Sequence, residues 1–135
     1  MSCKSAIYMA NTVATNVAAN SAVPFGTIQR RYGRCVNGTS AGITLNEPGY
    51  YLVTANISYT AETTGNAVVS LQQDGANVPG ATASDTVATA TTEINNMTIT
   101  GIIRVLRGNA PDVITIQNTG IAITTENVAI SAVKL

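Results

Sequence analysis

Apolar and polar residues alternate with period two along most of this chain, and nowhere do apolar residues recur at the spacing of an amphipathic helix. The clearest run is 49–60, where Tyr51, Val53, Ala55, Ile57 and Tyr59 share one face and Thr54, Asn56 and Ser58 the other, joined by Tyr50 and Leu52. Glu47-Pro48-Gly49 introduces it as a turn, with Pro fixing φ and Gly freeing it. A second strand is expected over 67–73 and ends at Asp74-Gly75, a hairpin signal. Pro79 then confines the following stretch to a sheet edge or a loop. Residues 82–92 read only as weak strand or loop. Further strands are predicted over 97–106, 112–118 and 128–135, and upstream over 6–10, 12–18, 25–29 and 43–45. Short strands at such spacing, roughly eight to ten of them, predict an all-β, two-sheet antiparallel sandwich or barrel.

Several strands carry apolar residues on both faces: Ile102 beside Ile103, Val68 beside Val69, and Val113 beside Ile114 and Ile116. One face closes a core. The other exposes more apolar surface than monomers usually tolerate, which predicts self-association. Tyr51, Val53, Ile57, Tyr59, Val69, Leu71, Ile99, Ile103, Ile114, Ile116 and Ile130 are the positions expected to fill the core or the seam between copies. A charge at Ile103 or Val69 is accordingly expected either to unfold the domain or to release monomers.

Composition narrows the function. In 135 residues, seven Lys+Arg balance seven Asp+Glu, and charged residues make up only 10%, against about 25% in ordinary soluble domains. A neutral chain has no net field for nucleic acid or an anionic membrane. The absence of His excludes Ser-His-Asp and Cys-His catalysis and any His-based metal site. The acids Glu47, Glu62, Asp74, Asp85, Glu93, Asp112 and Glu126 are scattered singly, so no acid/base pair is visible. Asp74, Asp85 and Asp112 lie near turns, where they read as turn formers before Ca²⁺ ligands. No enzyme activity and no cofactor are expected. No segment has the unbroken apolar run of a signal peptide or membrane span. Cytoplasmic synthesis is therefore expected, and it favours thiols over a disulfide for Cys3 and Cys35. Arg30, Arg31 and Arg34 form the one charge cluster. It reads as edge protection that keeps sheets from pairing, with contact to a partner surface as the alternative.

The order of motifs carries a resemblance. Val23-Pro24-Phe25 comes first, then Ile43-Thr44-Leu45 with Gly49-Tyr50-Tyr51, then Val69-Ser70-Leu71-Gln72 and Asp74-Gly75-Ala76-Asn77-Val78-Pro79-Gly80. Over about residues 20–135 this resembles the C-terminal jelly-roll domain of the collagen-like glycoproteins of bacterial spore surfaces (the exosporium). It is more distantly similar to the complement/tumour-necrosis-factor jelly-roll superfamily. The resemblance implies a jelly roll that assembles as a homotrimer on the outside of a particle or cell. It also divides the chain into an N-terminal strand or anchoring segment, 1–20, able to add a strand to a neighbour, and a jelly-roll domain, 21–135.

No collagen-like stalk appears in the sequence. That departure leads to the expectation of a virion-surface protein made in host cytoplasm (a head fibre or decoration protein), with a spore-surface or bacterial adhesive, lectin-like module as the alternative. Expected partners are further copies of the chain, a capsid or other particle-surface protein, and a glycan; nucleic acid and membrane insertion are not expected.

Overall fold

A computed structural model describes residues 4–90, 92–108 and 111–135. Two six-stranded antiparallel sheets pack face to face. The first runs β10 (Asn95–Val105), β7 (Gly49–Thr60), β12 (Ile123–Lys134), β1 (Ala6–Asn11), β4 (Thr27–Tyr32), with β2 (Thr15–Val17) also paired to β12. The second runs β5 (Val36–Thr39), β6 (Gly42–Leu45), β11 (Asp112–Asn118), β8 (Gly65–Gln73), β9 (Ala76–Val87), with β3 (Ser21–Ala22) also paired to β11. Strands distant in sequence are therefore neighbours in space, and this jelly-roll connectivity brings the chain ends together at β1 and β12.

Alternation decides what faces what. In β7 the residues Tyr51, Val53, Ala55, Ile57 and Tyr59 are buried, while the residues between them are only partly covered. β8, β11 and β12 contribute Val69, Leu71, Ile114, Ile116, Val128 and Ile130 to the same core. All eleven positions expected to fill a core or a seam lie in this single core. The Asp74-Gly75 turn forms with positive φ at both residues, 52° and 85°, the conformation that matches a two-residue hairpin to sheet twist. Pro79 sits in β9, an edge strand of its sheet, so its missing N–H breaks no interior ladder.

Three expectations are corrected. Of the weak strand or loop expected over 82–92, residues 82–87 are strand and continue β9; their inward residues are Ala83, Asp85 and Val87, and only Val87 is apolar and large enough to signal burial. The last strand begins at Ile123 rather than 128, because a register shift between Thr125 and Asn127 breaks its alternation. The segment before residue 20 also belongs to the sandwich: β1 pairs with β12 on one side and β4 on the other.

Cys35, fully buried, is disulfide-bonded rather than a thiol. Its amide donates to Ser5 Oγ at 3.0 Å, which draws the segment entering β1 against the start of β5. Gly33, at φ +83°, makes this approach feasible, since a Cβ there would overlap Ser5 Oγ and the Lys4 carbonyl. Cys3 lies outside the described residues.

One buried amide is fully bonded where loops meet the core. Asn118, with no exposed surface, donates from Nδ2 to the Ile121 carbonyl at 2.9 Å and to those of Val17 and Ala18 at 3.3 Å. Its Oδ1 accepts the Gly120 amide at 3.0 Å, so one side chain fixes the end of β11 and the segment leading to β3. Among the described residues no helix is long and apolar enough to cross a membrane.

Candidate functional site

The outer faces of the two sheets differ, and the difference follows from register. On the first sheet Ile102 pairs with Leu52, Leu52 with Val133, Val133 with Ala6, and Ala6 with Tyr32. Because paired residues point to the same side, these five side chains form one apolar row across β10, β7, β12, β1 and β4. Ile102 and Tyr32 are 60% and 61% exposed, and Val133 and Tyr8 are also exposed. A shallow groove of about 170 Å³ follows the row between Tyr8, Tyr32 and Val133, with Arg30 and Arg31 on its rim. On one side the rows Thr100–Thr54–Ser131 and Thr98–Asn56–Ala129 are small and largely polar until Ser131 meets Tyr8, and on the other side the row is Arg104–Tyr50.

The second sheet turns Asn66, Gln72, Thr82, Ser84, Thr86, Thr115 and Gln117 outward. Val68 and Val113 interrupt that polar surface. The apolar surplus is therefore concentrated on one face of the sandwich, at one end.

The residues that carry this face are not the eleven singled out from the sequence. Ile103, Val69, Ile114 and Ile116 point into the core, while their neighbours Ile102, Val68 and Val113 point out. Leu52 and Ala6 carry no local signal of this role, because the row joins strands far apart in the chain. Arg30 and Arg31 lie on β4, an edge strand, and Arg34 follows it, all three exposed. Arg31 Nε donates to the Val36 carbonyl at 2.8 Å, which ties this edge to β5 in the opposite sheet.

Among the described residues no group of three or more His, Cys, Asp or Glu converges as a metal site. The scattered acids divide by environment. Asp85 accepts a hydrogen bond from the Tyr59 hydroxyl at 3.1 Å. Asp74 and Asp112, distant in the chain, meet beside the β8–β9 turn, and burial, followed by the neighbouring Asp74, pushes the Asp112 carboxyl up. A cavity of about 240 Å³ beside β2 and β12 holds a single carboxylate, Glu62.

Burial, reinforced by Asp85, pushes the Tyr59 phenol up to about 12. The folded state thus holds this proton more tightly than the unfolded chain, whose phenols ionise near pH 10. Stability is fully present below about pH 10 and is withdrawn as pH rises towards 12. Tyr59→Phe is expected to flatten the fall of Tm over that window, as read by thermal unfolding in a pH series. An unchanged slope would show that Tyr59 does not set the alkaline limit.

The family described as the BclA C-terminal domain matches residues 7–135. Among solved structures, the Eiger TNF from S. frugiperda superposes with a TM-score of 0.72 at 16% identity, covering 100% of this chain and 94% of that one. The globular domain of zebrafish complement 1qA gives 0.68 at 10% identity, covering 94% of each chain. The PRD1 vertex protein P5 gives 0.64 at 20% identity, covering 100% of this chain and 99% of its own. These likenesses show a shared fold, the jelly roll of the tumour-necrosis-factor and complement domains. No curated protein is similar enough to this chain to match it.

Proposed function

The chain belongs to the BclA C-terminal domain family, and from that premise we propose that it is a non-enzymatic structural protein forming a compact homotrimer on the outside of a virion, as a head fibre or decoration protein. The observation that carries this reading is the apolar row Ile102–Leu52–Val133–Ala6–Tyr32 on a single outer face. In water such a row has a free-energy cost that a second and third copy remove by covering it. The opposite sheet, polar and weakly charged, is left facing outward to meet a host surface or glycan, while a capsid protein anchors the assembly. A virion vertex protein with the same fold supports the particle-surface role.

The family match supports a second reading, a spore-surface module or adhesive, lectin-like domain of the same architecture. Light scattering coupled to size exclusion tests the assembly that both readings share. The expected mass is about 42 kDa, three times 13.9 kDa; a species of one subunit overturns it. Antibody detection of the chain in purified phage particles, or on spores, then separates virion from spore.

A further inference from the structure

The β8–β9 hairpin, the end of β10 and the start of β11 border an open cavity of about 350 Å³ lined by Gln73, Asp74, Arg104, Leu106 and Asp112. Its charges are out of balance. Asp112 is 3% exposed, and its Oδ2 accepts from Gln73 Nε2 at 2.6 Å. Its Oδ1 is buried and has no donor among the described residues. Gln73 cannot supply one, because the same Nε2 also donates to the Arg104 carbonyl at 2.9 Å.

Asp74 is held beside Asp112 by its own backbone. Its φ of 52° belongs to the hairpin turn, its amide donates to the Val113 carbonyl at 2.9 Å, and its Oδ1 accepts the Val113 amide at 2.8 Å. The cationic side chain that lines the cavity is engaged elsewhere, since the Arg104 guanidinium stands over the Tyr50 ring, 5.8 Å from its centre. Leu106 and Leu45, the cross-strand partner of Asp112, contribute no charge. Asp74 and Asp112 lie within hydrogen-bond reach of each other, and two such carboxylates are costly together unless a proton or a cation stands between them.

We propose that this cavity binds a hard divalent cation, Ca²⁺ or Mg²⁺, through Asp112 Oδ1 and the Asp74 carboxylate, with water completing the coordination shell. The donors are all oxygens, which suits hard cations and disfavours zinc or copper. Two carboxylates and water place the affinity in the weak class of extracellular modules, with Kd on the order of 10⁻⁴–10⁻³ M. The bound ion would add a cross-link between the hairpin tip and β11 to the hydrogen bonds that already join them.

The test is thermal unfolding of the full chain after chelator treatment, in EDTA, in millimolar CaCl₂, in millimolar MgCl₂, and in NaCl of matched ionic strength. Wild type is expected to gain on the order of 5 °C in Tm with Ca²⁺ or Mg²⁺ and nothing comparable with NaCl. Asp112→Asn is expected to lose that gain while being at least as stable as wild type in EDTA, because the charge repulsion is gone. Asp74→Asn keeps the turn conformation and the Val113 acceptor, so it gives a second variant that folds and lacks the gain. Asp85→Asn, outside the cavity, retains the gain. A wild-type Tm unmoved by both divalent ions, which would mean the pair shares a proton, overturns the proposal. So does a shift matched by NaCl, or one that survives in both Asp74→Asn and Asp112→Asn.

Discussion

Ile103→Asp is expected to yield no folded protein at any temperature, whereas Ile103→Val yields a folded domain with a modestly lower Tm. Ile103 is 1% exposed and lies opposite Tyr51 in β7, both turned into the space between the sheets. A carboxylate at that point is surrounded mainly by apolar side chains, and the hydroxyl of Tyr51 opposite it already donates to the Glu47 carbonyl at 2.7 Å. Burying an unpaired charge costs several kcal/mol even after relaxation, and losing the isoleucine's own packing costs a further ~2–5 kcal/mol. Together these approach or exceed the whole stability of a domain this size, about 5–15 kcal/mol. Val69→Asp is expected to behave alike, since Val69 is fully buried on the facing sheet. Circular dichroism and the soluble fraction after expression check both. A soluble, β-rich Ile103→Asp protein would mean that this side chain points out of the sandwich. The sequence alone leaves open whether these charges unfold the subunit or merely release it, and burial decides for unfolding.

That open question marks where a one-dimensional pattern stops. Period-two alternation separates the two sides of a strand, so the inward set Tyr51, Val53, Ala55, Ile57 and Tyr59 is legible from the sequence. Asp74-Gly75 is legible for a different reason: a tight hairpin needs positive φ at consecutive residues, and few residue pairs supply it. Alternation does not say which side meets the partner sheet when both sides are apolar. In β10, Ile102 and Ile103 look equivalent in the sequence, yet their exposures are 60% and 1%. β5 carries no strand signal because its four residues present one buried side chain, Val36, beside Asn37 and Gly38. Topology hides the apolar row and the Asp74–Asp112 pair. Each joins positions that only the registers of β7, β12, β1, β8 and β11 bring together, and no local window contains them. Compartment alone misjudges the disulfide at Cys35, although the Ser5 hydroxyl that holds the Cys35 amide draws the N-terminal segment to its side.

Ile102→Asp, one residue from Ile103, is expected to have the opposite outcome: a folded, soluble single subunit. In the isolated sandwich this side chain is mostly in water, so a carboxylate there costs the fold little beyond the loss of a strand-favouring residue. In a trimer packed through this face, three copies of that carboxylate enter a dry seam against Leu52 and Val133. The apolar contact is lost and each unpaired charge costs several kcal/mol, enough to outweigh the association free energy of a modest interface. The scattering mass is therefore expected to fall from about 42 kDa to 13.9 kDa, with the β-type circular dichroism of wild type retained. Leu52→Asp should do the same, since Leu52 sits between Ile102 and Val133 in the row. Val113→Asp supplies the control: it is exposed on the opposite sheet, among polar neighbours, and is expected to leave the wild-type mass unchanged. If Val113→Asp dissociates the assembly while Ile102→Asp does not, the copies pack through the second sheet and the row faces solvent. If neither changes the mass, neither face is the seam, and the surplus of apolar residues on the first sheet has another partner.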